Sequence, residues 1–206
     1  MGNMGKPMAG HLRAAGARLT LFNRSKQVLE ELAGEGADVA SSPREVAERV
    51  GDGLIFLSLP NAGSVAEVVE GKDGLFAGLA VGSKVVDMGS TAVEPTRAWH
   101  ERALGMDSDW IDAPVSGGQK GAREANLTIM AGGLAESVKA IRPVLEIMGT
   151  TLTYMGPSGA GQCAKLANQI IVASTIASLS EAFLLCGENG VDLKAARSAL
   201  LGGFAQ

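Results

Sequence analysis

The stretch Gly53-Leu54-Ile55-Phe56-Leu57-Ser58-Leu59-Pro60-Asn61 decides the fold class. Its apolar residues run on without alternation, which marks a strand buried on both faces, as in a parallel sheet covered by helices on each side. Pro60-Asn61 then turns the chain into a helix near Ser64 to Glu70. The same strand-then-helix order extends in both directions. Downstream, strands are predicted at Lys84 to Asp87, Trp110 to Ala113, Leu127 to Ala131 and Thr151 to Tyr154. Helices are predicted from Glu94 to Leu104 and from Ala135 to Met148, with a long polar glycine-rich loop after Ala113. Upstream, Leu19-Thr20-Leu21-Phe22 and Asp38-Val39 are short strands flanking a helix from Lys26 to Glu35. Ser42-Pro43 opens a further helix, with Ser as N-cap, Pro in the first turn and Glu45 where a carboxylate is favoured. Repeated β-then-α order is the pattern of a doubly wound α/β sheet.

Ligands of such sheets lie beyond the carboxyl ends of the strands. Four loops leave strands there: Asn23-Arg24-Ser25, Leu59-Pro60-Asn61, Gly89-Ser90-Thr91 and Ser116-Gly117-Gly118. At the start, Gly2-Asn3-Met4-Gly5 has the spacing of the last two glycines of G-x-G-x-x-G. The first glycine and the strand that should precede it are absent. That strand is central in a doubly wound sheet, so a gap in mid-sheet is expected, and the chain reads as a fragment or a mis-assigned start. Asn23-Arg24-Ser25 stands where a dinucleotide fold meets the adenosine ribose. No carboxylate is there to accept the ribose hydroxyls. The planar fork of Arg24 suits a 2′-phosphate, although an exposed Arg opening a helix fits the sequence equally well.

The 206 residues are 46% hydrophobic and 19% charged, enough for one buried core and part of a second domain. Net charge is -4, with no Lys/Arg cluster, which argues against a nucleic-acid partner. Cys163 and Cys186 would lie about 35 Å apart on one helix, too far for a disulfide. Reduced thiols and a cytoplasmic location follow as expectations. His11 and His100 stand alone, and no metal site is expected. Ser174, Thr175, Ser178, Ser180 and Glu181 interrupt the apolar run around Ile170 to Ala182, so a buried helix is expected there and no membrane span.

That run opens with Gly159-Ala160-Gly161-Gln162-Cys163-Ala164-Lys165-Leu166-Ala167-Asn168-Gln169. On a helix Gln162, Lys165, Asn168 and Gln169 share one face, a polar stripe with one cation. Taken alone, such a Lys is more often a snorkelling surface residue. The turn Gly156-Pro157-Ser158-Gly159 marks a boundary, with a dinucleotide-binding domain over 1–158 and the start of a helical domain over 159–206. A last helix begins at Leu193, and the helical domain is expected to be truncated.

Four stretches together resemble the β-hydroxyacid dehydrogenase family: Gly2 to Ala9, Asp87-Met88-Gly89-Ser90-Thr91, Asp112-Ala113-Pro114-Val115-Ser116-Gly117-Gly118, and Gly159 to Gln169. The resemblance covers essentially the whole chain. It implies a Rossmann domain, a long connecting helix and an all-helical domain that forms homodimers or homotetramers. It implies that Lys165 is the catalytic lysine and Asn168 its companion one turn on. Ser116, Gly117 and Gly118 would hold the substrate carboxylate. Gly2, Asn3, Met4, Gly5, Asn23, Arg24, Ser25, Leu59, Pro60, Asn61 and Thr91 would hold NADP, or NAD, with Thr91 near the nicotinamide. The family often has Gly-Thr where this chain has Ala125-Asn126, and a later lysine would lie beyond Gln206.

The residue chemistry fits these roles. Successive small residues let backbone N–H groups converge on an anion. Oxidising a hydroxyl to a carbonyl needs a base within hydrogen-bond reach, and Lys165 qualifies if an apolar face lowers its value from about 10.4. The expected function is an NADP-preferring oxidoreductase that interconverts a small 3-hydroxy acid and its semialdehyde. An imine reductase and 6-phosphogluconate dehydrogenase share the fold. A non-catalytic cofactor-binding module is the rival from another class. Lys165 weighs against the imine reductase, and Lys165 with Asn168 against the non-catalytic module.

Overall fold

The computed structural model describes residues 2–25, 29, 33 and 36–203. The helix expected over Lys26 to Glu35 therefore falls outside them, except for Leu29 and Ala33, which are helical. The chain divides into two compact units, Met1–Lys165 and Leu166–Gln206.

The first unit opens with α1 (Gly5–Ala14), directly after the glycine turn. Strands β1 (Thr20–Leu21) and β2 (Asp38–Val39) pair in parallel as a two-stranded sheet of their own. Helix α2 (Pro43–Val50) starts as its sequence dictates: the Ser42 side chain accepts from the Glu45 N–H, with Pro43 in the first turn. Then come β3 (Leu54–Leu57), α3 (Ala62–Glu70), β4 (Lys84–Asp87), α4 (Val93–Leu104) and β5 (Asp109–Asp112). Strands β3, β4 and β5 are parallel, with Leu57 opposite Asp87 and Asp87 opposite Asp112, so their carboxyl ends are level. Among the described residues no strand joins this sheet to the β1–β2 pair.

After β5 the structure departs from the sequence expectation. The stretch expected as a loop contains β6 (Val115–Ser116) and α5 (Gly118–Arg123). β6 prolongs β5 in the same register against β7 (Thr128–Gly132): Asp112 faces Gly132, Val115 faces Ile129 and Ser116 faces Thr128. Between them the Met130 N–H donates to the Pro114 carbonyl at 3.0 Å. Pro114 has no N–H to return, which is why the strand is broken there. β7 is therefore antiparallel to β5, and β8 (Thr151–Gly156), reached through α6 (Ala135–Leu145), is parallel to β7. The six-stranded sheet is mixed, a parallel half with an antiparallel edge. Ala125 takes φ 53° in the turn before β7, left-handed backbone that glycine adopts without strain.

Both faces of the sheet are covered. Val85 and Trp110 point into one core with Val65, Val69, Phe76 and Trp99. Their neighbours Val86 and Ile111 point into the other, with Met8, Leu12, Ile141 and Leu145. That alternation explains why the strands read as unbroken apolar runs.

Helix α7 (Ala160–Glu188) leaves the first unit, and the second unit holds its remainder and α8 (Leu193–Leu201). The expectation of a buried helix is not met. Only Gly161, Gln162 and Lys165 are buried, whereas Ile170, Ile171, Ile176 and Leu185 are between 61% and 69% exposed. Residues 166–203 are too few to cover such a face. By length and composition the helix is long and apolar enough to cross a membrane.

Candidate active site

The level ends of β4 and β5 carry two buried carboxylates, Asp87 and Asp112. Asp87 Oδ1 accepts the Gly89 N–H at 3.0 Å, and Oδ2 accepts the Thr91 hydroxyl at 3.0 Å. The loop Gly89-Ser90-Thr91 is thus folded back onto the strand it leaves. Burial pushes Asp87 up to about 6, against the pull of these two donors and with a small further push from Asp112. Gly89 has room for no side chain, because a Cβ would lie 2.6 Å from the Leu59 carbonyl oxygen. This loop and Leu59-Pro60-Asn61 therefore touch.

Asp112 reaches the start of α7. Its Oδ1 accepts the Gly159 N–H at 2.8 Å and its Oδ2 the Gln162 N–H at 2.9 Å, with the Gly161 N–H contributing. The first turn of a helix has N–H groups without intrahelical partners, and a carboxylate is favoured beside them. Burial pushes the Asp112 carboxyl up, and these N–H groups pull it back. Gly161 is pressed to the sheet: a Cβ there would lie 2.2 Å from the Met130 carbonyl oxygen. From the fully buried Gln162, Oε1 accepts the Thr91 N–H at 2.8 Å and Nε2 donates to the Gly89 carbonyl at 2.9 Å.

One turn beyond Gln162, on the same side of α7, stands Lys165, only 8% exposed. Burial alone lowers its pKa, and no carboxylate offsets that effect. A shielded amine with a lowered pKa gives up its proton more readily than a free lysine, as a general acid or base must.

Thr91 is buried in the cluster just described. Ser116 pairs with Thr128, two residues along β7 from the Met130 carbonyl against which Gly161 rests. Gly117 and Gly118 have φ of 129° and 59°, conformations that favour glycine, and both are exposed. Among the described residues no hydrogen bond joins Ser116, Gly117 or Gly118 to the Asp112 cluster. Gly2 and Asn3 are exposed, Met4 is half-buried and Gly5 is buried at the start of α1. The exposed Asn61 caps α3 by accepting the Ser64 N–H at 2.9 Å, beside half-buried Leu59 and exposed Pro60. Asn168 is half-exposed, and its amide donates to Gln169 at 3.2 Å.

Asn23 donates to the Ser25 carbonyl at 3.1 Å, and Ser25 is exposed. Arg24 lines a cleft of about 210 Å³ with Phe22, Pro43, Glu67, Val68 and Asp73. Its guanidinium lies 3.7 Å from Glu67, and both side chains are 68% exposed. Such a pair is weak and leaves the guanidinium open to a stronger anion.

Residue type and spacing do not mark Asp87, Asp112 or Gln162 as site residues. The two aspartates each open a quoted motif, and Gln162 lies in the polar stripe of α7. Only the fold shows that they touch.

Two family models match. The NAD-binding domain of 6-phosphogluconate dehydrogenase covers residues 1–156, and the NAD-binding domain of NADP-dependent 3-hydroxyisobutyrate dehydrogenase covers 159–206. The 2-hydroxy-3-oxopropionate reductase of Escherichia coli (strain K12) is 38% identical over 205 residues, which is 100% of this chain and 69% of that protein. The solved structure of Mycobacterium tuberculosis 3-hydroxyisobutyrate dehydrogenase with L-serine superposes with a TM-score of 0.88 at 32% identity, covering 100% of this chain and 69% of that one. An imine reductase from Myxococcus stipitatus, in complex with NADP+, shares the fold at a TM-score of 0.86 and 20% identity, covering 97% of this chain and 68% of that one. The chain spans 57–69% of the length of the curated relatives it matches. On these grounds the chain belongs to the β-hydroxyacid dehydrogenase family.

Proposed function

We propose that the protein interconverts a small 3-hydroxy acid and its semialdehyde by hydride transfer to or from NADP. The observation that carries this is the buried Lys165 near the clamped start of α7, three residues past Gln162, whose side chain holds the Gly89–Thr91 loop. In oxidation the neutral amine would take the hydroxyl proton as hydride leaves for the nicotinamide. In reduction the ammonium would return a proton to the carbonyl oxygen. Asn168, one turn on, would hold the substrate hydroxyl or orient the lysine. Ser116, Gly117 and Gly118 would seat the carboxylate, because a strand end followed by two glycines exposes N–H groups to an anion. The cofactor supplies the hydride chemistry. Gly2, Asn3, Met4 and Gly5 at the start of α1 would approach its pyrophosphate, and Leu59, Pro60, Asn61 and Thr91 would line its path to the nicotinamide. The 1–158 segment would be the cofactor domain and 159–206 the start of the helical one. The exposed apolar side of α7 would be covered by further helices or a second subunit. A non-catalytic cofactor-binding role leaves the lowered, sheltered amine without a purpose.

NADP is preferred in this scheme because Arg24 is exposed, weakly held by Glu67, and accompanied by no carboxylate at Asn23 or Ser25. One charge-assisted hydrogen bond contributes about 1.5–3 kcal/mol, a preference of roughly ten- to a hundredfold. Steady-state kinetics of the intact enzyme on a panel of semialdehydes, with NADPH and NADH in parallel, tests both parts. Reduction with the better kcat/KM for NADPH is expected, and Asn23→Asp with Arg24→Leu should erase or reverse the preference. Equal or better efficiency with NADH would make Arg24 an adenine platform only. Failure to reduce any semialdehyde with either cofactor would remove the activity itself.

A further inference from the structure

We propose that Gln162 and Asp112 form a buried latch that positions Lys165 against the Gly89–Thr91 loop. The proposal rests on the catalytic reading of Lys165 given above. Gln162 is a positioning residue that holds three partners at once. Its backbone N–H is fixed by Asp112 at 2.9 Å, its side-chain oxygen by the Thr91 N–H at 2.8 Å, and its side-chain nitrogen holds the Gly89 carbonyl at 2.9 Å. Asp112 takes the N–H groups of Gly159 and Gln162, which define the first turn of α7. Asp87 secures the other side of the same loop through Gly89 and Thr91.

The geometry leaves little slack. A Cβ on Gly132 would lie 2.8 Å from Asp112 Oδ1, and one on Gly161 would lie 2.9 Å from Oδ2. Both glycines thus lie close against the carboxylate, and lifting the helix away would break its hydrogen bonds from the Gly159 and Gln162 N–H groups. An ordinary N-cap would be a side chain of the helix's own leading residue. Here the leading residues are Ser158 and Gly159, and a carboxylate fifty positions upstream does the capping, so the helix start is indexed to the sheet end. Lys165 lies three residues past Gln162, about one turn further along the same helix. A misplacement of about 1 Å at a reacting group can cost on the order of a hundredfold in rate, so such indexing has a function where a proton must meet a substrate.

A double-mutant cycle with Lys165→Ala in the intact enzyme separates positioning from mere stability. Gln162→Met keeps the length and volume of the side chain and removes both hydrogen bonds to the loop. It should lower kcat at least about tenfold. In the Lys165→Ala background it should cost nothing further, because residues acting as one unit are not additive. If Gln162→Met does not fold, Asp112→Asn carries the same cycle, since its amide turns an N–H toward one of the two N–H groups it must accept. Undiminished kcat in Gln162→Met beside an inactive Lys165→Ala would overturn the latch and leave the catalytic reading standing. Equal losses in both backgrounds would also overturn it. Full turnover in Lys165→Ala alone would overturn the catalytic reading and the latch with it.

Discussion

Asp87 shows how one buried carboxylate ties the site to stability. Its pKa in the fold is about 6, raised first by burial, against an ordinary value of 3.8. A raised value means that the folded state binds the proton more tightly than the unfolded chain. Its contribution is therefore fully present below about 3.8 and is lost as pH rises through about 6. A shift of roughly two units corresponds to about 3 kcal/mol. Asp87→Asn should flatten this slope, because the amide oxygen can still accept from Gly89 while its nitrogen donates to the Thr91 oxygen. Denaturant unfolding of parent and variant at pH 4 and pH 8 is the check: the variant should gain stability relative to the parent only at the higher pH. An equal difference at both values would mean that folding does not raise the Asp87 pKa. At this scale the sequence was partly legible. Thr91 and Lys165 stand out by residue type and motif. The role of Gln162 does not, because its partners are 71 and 73 positions away. A polar residue on an apolar helix looks alike whether it faces solvent or a buried loop.

At the scale of elements, the start of α7 is the tightest joint, and glycine makes it possible. Gly161→Ala would set a methyl 2.2 Å from the Met130 carbonyl and 2.8 Å from the Asp112 carbonyl. A cost of about 3 kcal/mol is expected, the upper part of the overpacking range. Gly10→Ala is the control, a helical glycine with nothing within 4 Å of its would-be Cβ, which should gain about 0.5–1 kcal/mol. Thermal unfolding of both variants compares them directly, and a neutral Gly161→Ala would mean that the helix can lift from the sheet without penalty. The strands and helices around Gly53 to Asn61 were legible because burial on both faces leaves unbroken apolar runs. β6 and α5 were not. Gly118 to Arg123 carries two glycines and three polar residues in six positions. Its helix forms because Gly121 and Ala122 pack inward and His11 Nε2 lies 3.0 Å from the Ala122 carbonyl oxygen, contacts remote in sequence. The antiparallel course of β7 was likewise hidden, since strand direction follows from the length and path of the connection.

At the scale of the whole molecule, the Rossmann-type α/β architecture follows from the order of strands and helices. The burial expected of α7 is not found: periodicity and scattered Ser and Thr fix a helix but not what surrounds it, and its apolar residues after Lys165 are largely exposed. The central claim is that Lys165, buried and lowered in pKa, is the proton-transfer group of a hydroxyacid dehydrogenase. The most direct test is the pH dependence of hydroxy-acid oxidation by the intact enzyme and by Lys165→Ala. Oxidation needs the neutral amine, so the parent rate should rise with pH through a value below the ordinary lysine range of about 10.4. Lys165→Ala should lose that limb and at least about a hundredfold in turnover, with the cofactor still bound. A variant that keeps both the limb and near-parental turnover would contradict the account.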